Sequence, residues 1–185
     1  MDTFFLPLIS AALAEWGDKT QLLAMLLVAR FGRPGLVMAA LALAAAINAA
    51  IASFAGSVVA TMIDRDGALL LLAIAFALAG VAALIPADRV KMPRNYGFGL
   101  FGAAFIAFLL AEFGDKTQFL AAGYAAVYPA WEAVALGTWL GVVLAMGVAV
   151  YGGRALRKSL PLAAIRKGLG GLLLVVAAAV SINAL

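Results

Sequence analysis

The sequence predicts an all-α integral membrane protein in which six transmembrane helices form two inverted three-helix repeats. Hydrophobic residues make up 66% of the 185 positions and charged residues only 12%, which is far from the balance of a soluble domain. The apolar residues fall into six runs with short polar turns between them, and one eight-residue motif occurs twice within these runs. The length suffices for several spans of about 20 residues, with little left for a water-soluble domain.

Three spans are predicted in the first repeat, which we place at residues 1–90. The motif interrupts the first of them, and basic or polar turns separate all three. They cover residues 3–29, 35–63 and 68–87. A linker rich in charged residues follows at 88–95, and the boundary between the repeats is predicted there.

The second repeat, residues 91–185, is predicted to contain three further spans. The first again carries the motif, and a strongly basic segment precedes the last. They cover residues 96–126, 131–151 and 168–185. An odd number of spans in each repeat would give the two copies opposite orientations in the membrane, which is the plan of many secondary transporters.

The distribution of basic residues predicts the orientation. Of the 13 Lys and Arg residues, ten lie in the loops after the first, third and fifth spans, whereas only Arg65 lies in the loops after the second and fourth. Loops rich in Lys and Arg face the cytoplasm. We therefore expect a multi-pass membrane protein with both termini outside, in contact with lipid and with no nucleic-acid partner. The compactness of the chain fits a bacterial inner-membrane protein.

The composition also limits the chemistry. The chain contains no cysteine and no histidine, so thiolate nucleophiles and the usual zinc, copper and nickel sites are not expected. No Gly-x-Ser-x-Gly sequence of the hydrolase type occurs either. We do not expect an enzyme or a cofactor, and a metal handled here would have to accept oxygen ligands, as calcium, magnesium and manganese do.

The repeated motif is the feature that the rest of the chain surrounds. Residues 14–21 read Ala-Glu-Trp-Gly-Asp-Lys-Thr-Gln, and residues 111–118 repeat them with Phe113 in place of Trp16. The two copies are 97 positions apart (112 − 15 = 97). Each places two carboxylates and one ammonium inside an apolar span, and charged residues in such places are usually functional.

On a helix, the Glu and Asp of each copy are three residues apart and share a face. If the copies meet across a pseudo-two-fold axis, four carboxylates form a site for a hard divalent cation. Nearby hydroxyl and amide groups could add neutral oxygens, and a bend at Gly17 or Gly114 could free backbone carbonyls. The predicted ligands are Glu15, Asp18, Glu112, Asp115, Thr20, Thr117, Gln21 and Gln118.

Lys19 and Lys116 are predicted to balance part of this charge. In the simplest structural interpretation they pair within their own helix, with Glu15 and Glu112 at i and i+4. Two lysines against four carboxylates still leave two negative charges, which one divalent cation or two protons would cancel. Protons and metal would then compete for the same oxygens, and a cation/proton exchanger follows as a hypothesis.

These paired Glu-x-Gly-Asp-Lys-Thr blocks resemble the signature of the Gdt-type cation transporter family, which includes eukaryotic Golgi manganese and calcium transporters and bacterial manganese exporters. The resemblance covers essentially the whole chain. It implies cation/proton exchange, manganese export in a bacterium, and ion binding by the motif acids, which here are Glu15, Asp18, Glu112 and Asp115.

Other functions remain open at the level of sequence. Calcium is the main rival to manganese, because both ions accept oxygen ligands. An exporter of small organic solutes, a passive channel, and an intramembrane aspartate protease using Asp18 and Asp115 are further alternatives. A homo-oligomer is possible.

Overall fold

The computed structural model of the protein describes residues 1–85, 99–159 and 161–184. These residues form eight α-helices, and no strand occurs among them, which confirms the all-α prediction. The helices are α1 (Asp2–Glu15), α2 (Lys19–Phe31), α3 (Pro34–Val59), α4 (Arg65–Leu84), α5 (Gly99–Glu112), α6 (Lys116–Val127), α7 (Trp131–Ser159) and α8 (Leu162–Ile182).

Four of the helices are long and apolar enough to cross a membrane. They are α3, α4, α7 and α8, whose apolar windows have mean hydropathies between 1.8 and 2.6. Large apolar side chains are exposed on these helices, including Phe54, Ile74 and Val175. Water would oppose such exposure, whereas lipid accepts it, so the chain is a membrane protein with several apolar helices.

The two motif-bearing spans differ from the other four. The predicted first span, 3–29, is divided into α1 and α2, and the predicted fourth span, 96–126, contains α5 and α6. In each case the helix ends at the motif glutamate and restarts at the motif lysine. Both divided spans consist of helices too short to cross a membrane singly.

Helices α7 and α8 extend into the basic segment between the last two predicted spans. Helix α7 continues through the predicted basic loop to Ser159, and α8 already begins at Leu162, six residues before the predicted start. Arg and Lys are good helix formers, and the segment contains no proline before Pro161, so nothing ended the helix at the edge of the apolar run. The predicted linker 88–95 and the boundary at 90/91 lie outside the described residues.

The helices recur with the same offset as the motif. Helix starts at residues 19, 34 and 65 are followed by starts at 116, 131 and 162, each 97 positions later. Close contacts recur as well. Gly56 of α3 packs against the backbone of Ala122 in α6, and Gly153 of α7 packs at the equivalent position against Met25 in α2. Glycines thus allow close approach between helices that follow the first motif and helices that follow the second.

The long helices α3 and α7 pack against each other, and each packs against the short helix that begins the other half of the chain, α5 and α1 respectively. Helices α4 and α8 form a second contacting pair, beside α6. One group of buried apolar side chains comes mainly from α2, α3, α5 and α7, and another comes mainly from α4, α6 and α8. The two helix breaks lie within this packing.

Candidate metal centre

A left-handed glycine breaks each motif-bearing span. The φ angles are 76° at Gly17 and 71° at Gly114, values that residues with a Cβ adopt only at a cost. In both turns the backbone N–H of the motif aspartate donates to the carbonyl of the motif glutamate three residues earlier, at 3.2 and 3.1 Å. The glutamates thus end one helix, and the aspartates, Asp18 and Asp115, precede the next.

The motif glutamines hold these breaks in place. The N–H of Gly17 donates to Oε1 of Gln21 at 2.9 Å, and the N–H of Gly114 donates to Oε1 of Gln118 at 2.7 Å. Each glutamine then donates from Nε2 to a long helix, Gln21 to the carbonyl of Ala145 and Gln118 to Oδ1 of Asn48. Both glutamine oxygens thus accept backbone hydrogen bonds, and a role as metal ligands stays a prediction.

Substituting Gly114 with alanine tests the backbone conformation alone. An added Cβ at Gly114 would meet no atom within 4 Å, and the same is true of Gly171 in α8, where φ is not positive. We expect Gly114→Ala to lower the free energy of unfolding by roughly 1–2 kcal/mol, and Gly171→Ala to raise it by roughly 0.5–1 kcal/mol. Thermal unfolding in detergent, followed by tryptophan fluorescence, measures both; equal shifts would contradict a strained turn.

Each motif lysine contacts the aspartate of the other motif. Nζ of Lys116 lies 2.5 Å from Oδ2 of Asp18, and Nζ of Lys19 lies 3.4 Å from Oδ2 of Asp115. The alternative interpretation, in which each lysine pairs with the glutamate of its own motif at i and i+4, does not apply within the described residues, because the helix is broken between the two positions. The crossed pairs join the two motifs directly.

The two crossed pairs differ in burial. The Lys116 side chain is 4% exposed and also lies 3.5 Å from Asp115 and 3.7 Å from Glu15, whereas the Lys19 side chain is 41% exposed. Each aspartate lies directly before the next helix, but its side chain accepts no capping hydrogen bond from that helix. Lys116 is therefore surrounded by three carboxylates, while Lys19 contributes an exposed ion pair of small energetic weight.

The two motif glutamates also differ. Glu15 is fully buried and accepts hydrogen bonds from the hydroxyls of Thr20, at 2.9 Å, and Thr117. Glu112 is 6% exposed, and its Oε1 has no hydrogen-bond partner among the residues that the structure describes. Burying a carboxylate oxygen without a hydrogen-bond partner costs free energy of folding.

A small cavity of about 10 Å³ adjoins Glu112. Polar side chains from four helices line it together with three small apolar residues. The lining residues are Ala45, Asn48, Ala49, Glu112, Thr117, Gln118, Thr138 and Val142. A space of this size is at the lower limit for one water molecule.

Three carboxylates are close enough to share a cation. Glu15, Glu112 and Asp115 each offer one oxygen within 4.8 Å of the other two. Oxygens on opposite sides of one ion are separated by about 4.2 Å for the smaller Mg²⁺ and by up to about 5.2 Å for Ca²⁺. The fourth predicted carboxylate, Asp18, does not belong to this group and contacts Lys116 instead.

Two residues near the site were not predicted as part of it. Asn48 joins two helices by donating to the carbonyl of Leu109 at 3.2 Å, and it also lines the cavity. Thr138 was not singled out. The available signal was a lone hydroxyl in an apolar span, where a polar side chain tends to face the interior.

The sequence profile of a family described as divalent cation/proton antiporter GDT1 matches the chain at residues 3–91 and 100–185. A protein of Vibrio cholerae serotype O1 named "Putative manganese exporter" is 39% identical over 181 residues, which are 97% of this chain and 90% of that protein. No solved structure matches the chain.

Proposed function

Because the chain belongs to the divalent cation/proton antiporter GDT1 family, we propose that it exports Mn²⁺ across the bacterial inner membrane in exchange for protons. The observation that carries this proposal is a group of three carboxylates contributed by both motifs, the buried Glu15 and Glu112 and the partly buried Asp115, with oxygens within 4.8 Å of one another. The protein of Vibrio cholerae named "Putative manganese exporter", which is similar over almost the whole chain, favours Mn²⁺ as the ion.

Proton coupling follows from the charges of the site. The two motifs together carry four carboxylates and two ammonium groups, which leaves two negative charges in a largely buried cluster. A divalent cation neutralises these charges when the site moves from one side of the membrane to the other, and protons bound to the same oxygens neutralise them when the site moves back. Without either, the cluster would hold uncompensated charge in surroundings that strongly disfavour it.

Alternating access is the mechanism that this arrangement supports best. We propose that residues 1–90 and 91–185 form inverted repeats around a midplane site, with both termini outside, and that they rock against each other. The recurrence of three helix starts at a 97-residue offset and the crossed lysine–aspartate pairs support this proposal. Lys19 is more exposed than Lys116. This difference is expected if the two repeats are related by a two-fold axis and the site between them is open toward one side of the membrane.

Transport by the purified protein in proteoliposomes tests the proposal. With an acidic lumen, we expect Mn²⁺ uptake from the outside to be accelerated and the lumen to become more alkaline as protons leave, because each ion must displace protons from shared oxygens. A luminal pH dye and a Mn²⁺-quenched dye follow the two fluxes. Liposomes without protein provide the baseline.

The same assay separates the alternatives. Mn²⁺ flux without any change of luminal pH would contradict exchange and indicate a channel. Ca²⁺ flux of the same rate, or flux of Ca²⁺ without Mn²⁺, would reassign the ion, since oxygen ligands accept both. Absence of both fluxes in a monodisperse preparation would contradict the proposed function altogether.

A further inference from the structure

The ammonium group of Lys116 contacts the same carboxylates that a shared cation would need. Nζ of Lys116 lies 3.7 Å from Oε1 of Glu15 and 3.5 Å from Oδ2 of Asp115. Both of these residues belong to the three-carboxylate group, whose oxygens lie within 4.8 Å of one another. The Lys116 side chain is 4% exposed, so water screens its charge little. The lysine and a divalent ion therefore depend on the same acidic side chains.

The ammonium group in its observed position would oppose the binding of such an ion. A coordinated cation lies about 2.0–2.6 Å from each ligand oxygen, so an ion held by the oxygens that face Lys116 would lie within roughly 6 Å of Nζ. Two positive charges at this distance repel each other strongly where water is largely excluded. The ion would therefore bind more easily when the ammonium group moves away from Glu15 and Asp115.

Asp18 provides the lysine with a partner outside the three-carboxylate group. Its Oδ2 lies 2.5 Å from Nζ, closer than the oxygens of Glu15 and Asp115, and it is not a member of that group. The ammonium group can therefore lose its contacts with Glu15 and Asp115 while its charge stays paired with Asp18. The long, flexible lysine side chain permits this movement without a change in the backbone.

On the basis of the function proposed above, we propose that Lys116 competes with the transported divalent cation for the three-carboxylate group, and that Asp18 positions this lysine instead of binding the ion. In the absence of the ion, the ammonium group compensates part of the negative charge of the group. When the ion binds, the ammonium group keeps only Asp18. Lys19 also contacts Asp115, but its side chain is 41% exposed, so water screens its charge.

Direct Mn²⁺ binding to the purified protein tests this role, with the electron paramagnetic resonance signal of free Mn²⁺ as the readout. Lys116→Gln removes the competing charge. Lys167→Gln is the matched control, because Lys167 is an exposed lysine of α8. Lys116→Gln leaves Asp18 without its closest partner and is expected to destabilise the protein, so the double variant Asp18→Asn/Lys116→Gln, which removes both charges of the pair, is measured as well. Gel filtration in detergent verifies the folding of each variant.

We expect Lys116→Gln to lower the Kd for Mn²⁺ roughly tenfold, because a nearby positive charge is lost, and the double variant to bind at least as tightly as the unmodified protein. Lys167→Gln should change the Kd less than about threefold. A general loss of packing would weaken binding, so tighter binding distinguishes competition from a structural role.

Two results would overturn the competition and leave the proposed function intact. One is an unchanged or raised Kd in a folded Lys116→Gln variant, and the other is a raised Kd in the double variant, which would mean that Asp18 or Lys116 contributes to ion binding. Absence of Mn²⁺ and Ca²⁺ binding in both the unmodified protein and the double variant would overturn the competition and the proposed function together.

Discussion

Replacing Glu15 with glutamine is expected to abolish proton-coupled Mn²⁺ transport, with a loss of at least about a hundredfold. Loss of groups that merely support a metal ligand already costs roughly 10- to 100-fold, and Glu15 is proposed to contact the ion directly. It is fully buried, belongs to the three-carboxylate group, and accepts hydroxyls from both Thr20 and Thr117. Glutamine keeps the volume but removes the charge and one acceptor oxygen.

Proteoliposome transport measures this loss, and Glu132→Gln provides the matched control. Glu132 lies in the first turn of α7 and is exposed, so the same chemical change there is expected to alter the rate by less than about twofold. Retained Mn²⁺ flux with an unchanged response to pH in Glu15→Gln would contradict the assignment of the site. Gel filtration of both variants separates this result from misfolding.

The sequence predicted the composition of the site better than its connections. Two charged motifs in apolar spans indicated that their acids would meet, and the crossed lysine–aspartate contacts do join the motifs. The crossed pairing itself was not predicted. A spacing of i and i+4 brings Glu15 and Lys19 together only on an intact helix, and Gly17 ends that helix. A glycine weakens a helix by about 1 kcal/mol, but whether it bends or ends it depends on the surrounding packing.

The asymmetry between the motifs could not be predicted, because their sequences are nearly identical. Lys116 is buried and Lys19 is not, and both motif threonines contact Glu15 rather than one glutamate each. These differences arise where the surroundings of the two copies differ. Asn48, for example, receives Gln118, whereas its equivalent 97 positions later, Ala145, offers only a backbone carbonyl to Gln21.

Lys116→Gln is expected to be strongly destabilising, whereas Lys19→Gln is expected to have little effect. Removing one partner of a buried ion pair typically costs about 3–5 kcal/mol, since the other charge stays buried without compensation. In Lys116→Gln that charge is on Asp18, whose closest contact is the lysine ammonium at 2.5 Å. An exposed pair such as Lys19 with Asp115 contributes about 0–1 kcal/mol.

A double-mutant cycle distinguishes the pair itself from a general loss of packing. If the uncompensated carboxylate causes the damage, Asp18→Asn should restore much of the stability of Lys116→Gln, while Asp115→Asn should do so less completely, because Asp115 lies 1 Å farther from the ammonium. Thermal unfolding in one detergent measures all variants. Equal losses of stability for Lys116→Gln and Lys19→Gln would contradict the unequal burial of the two lysines. Such a result would mean that both lysines spend similar times within the carboxylate cluster. A protein that exchanges freely between two mirrored states would behave in this way.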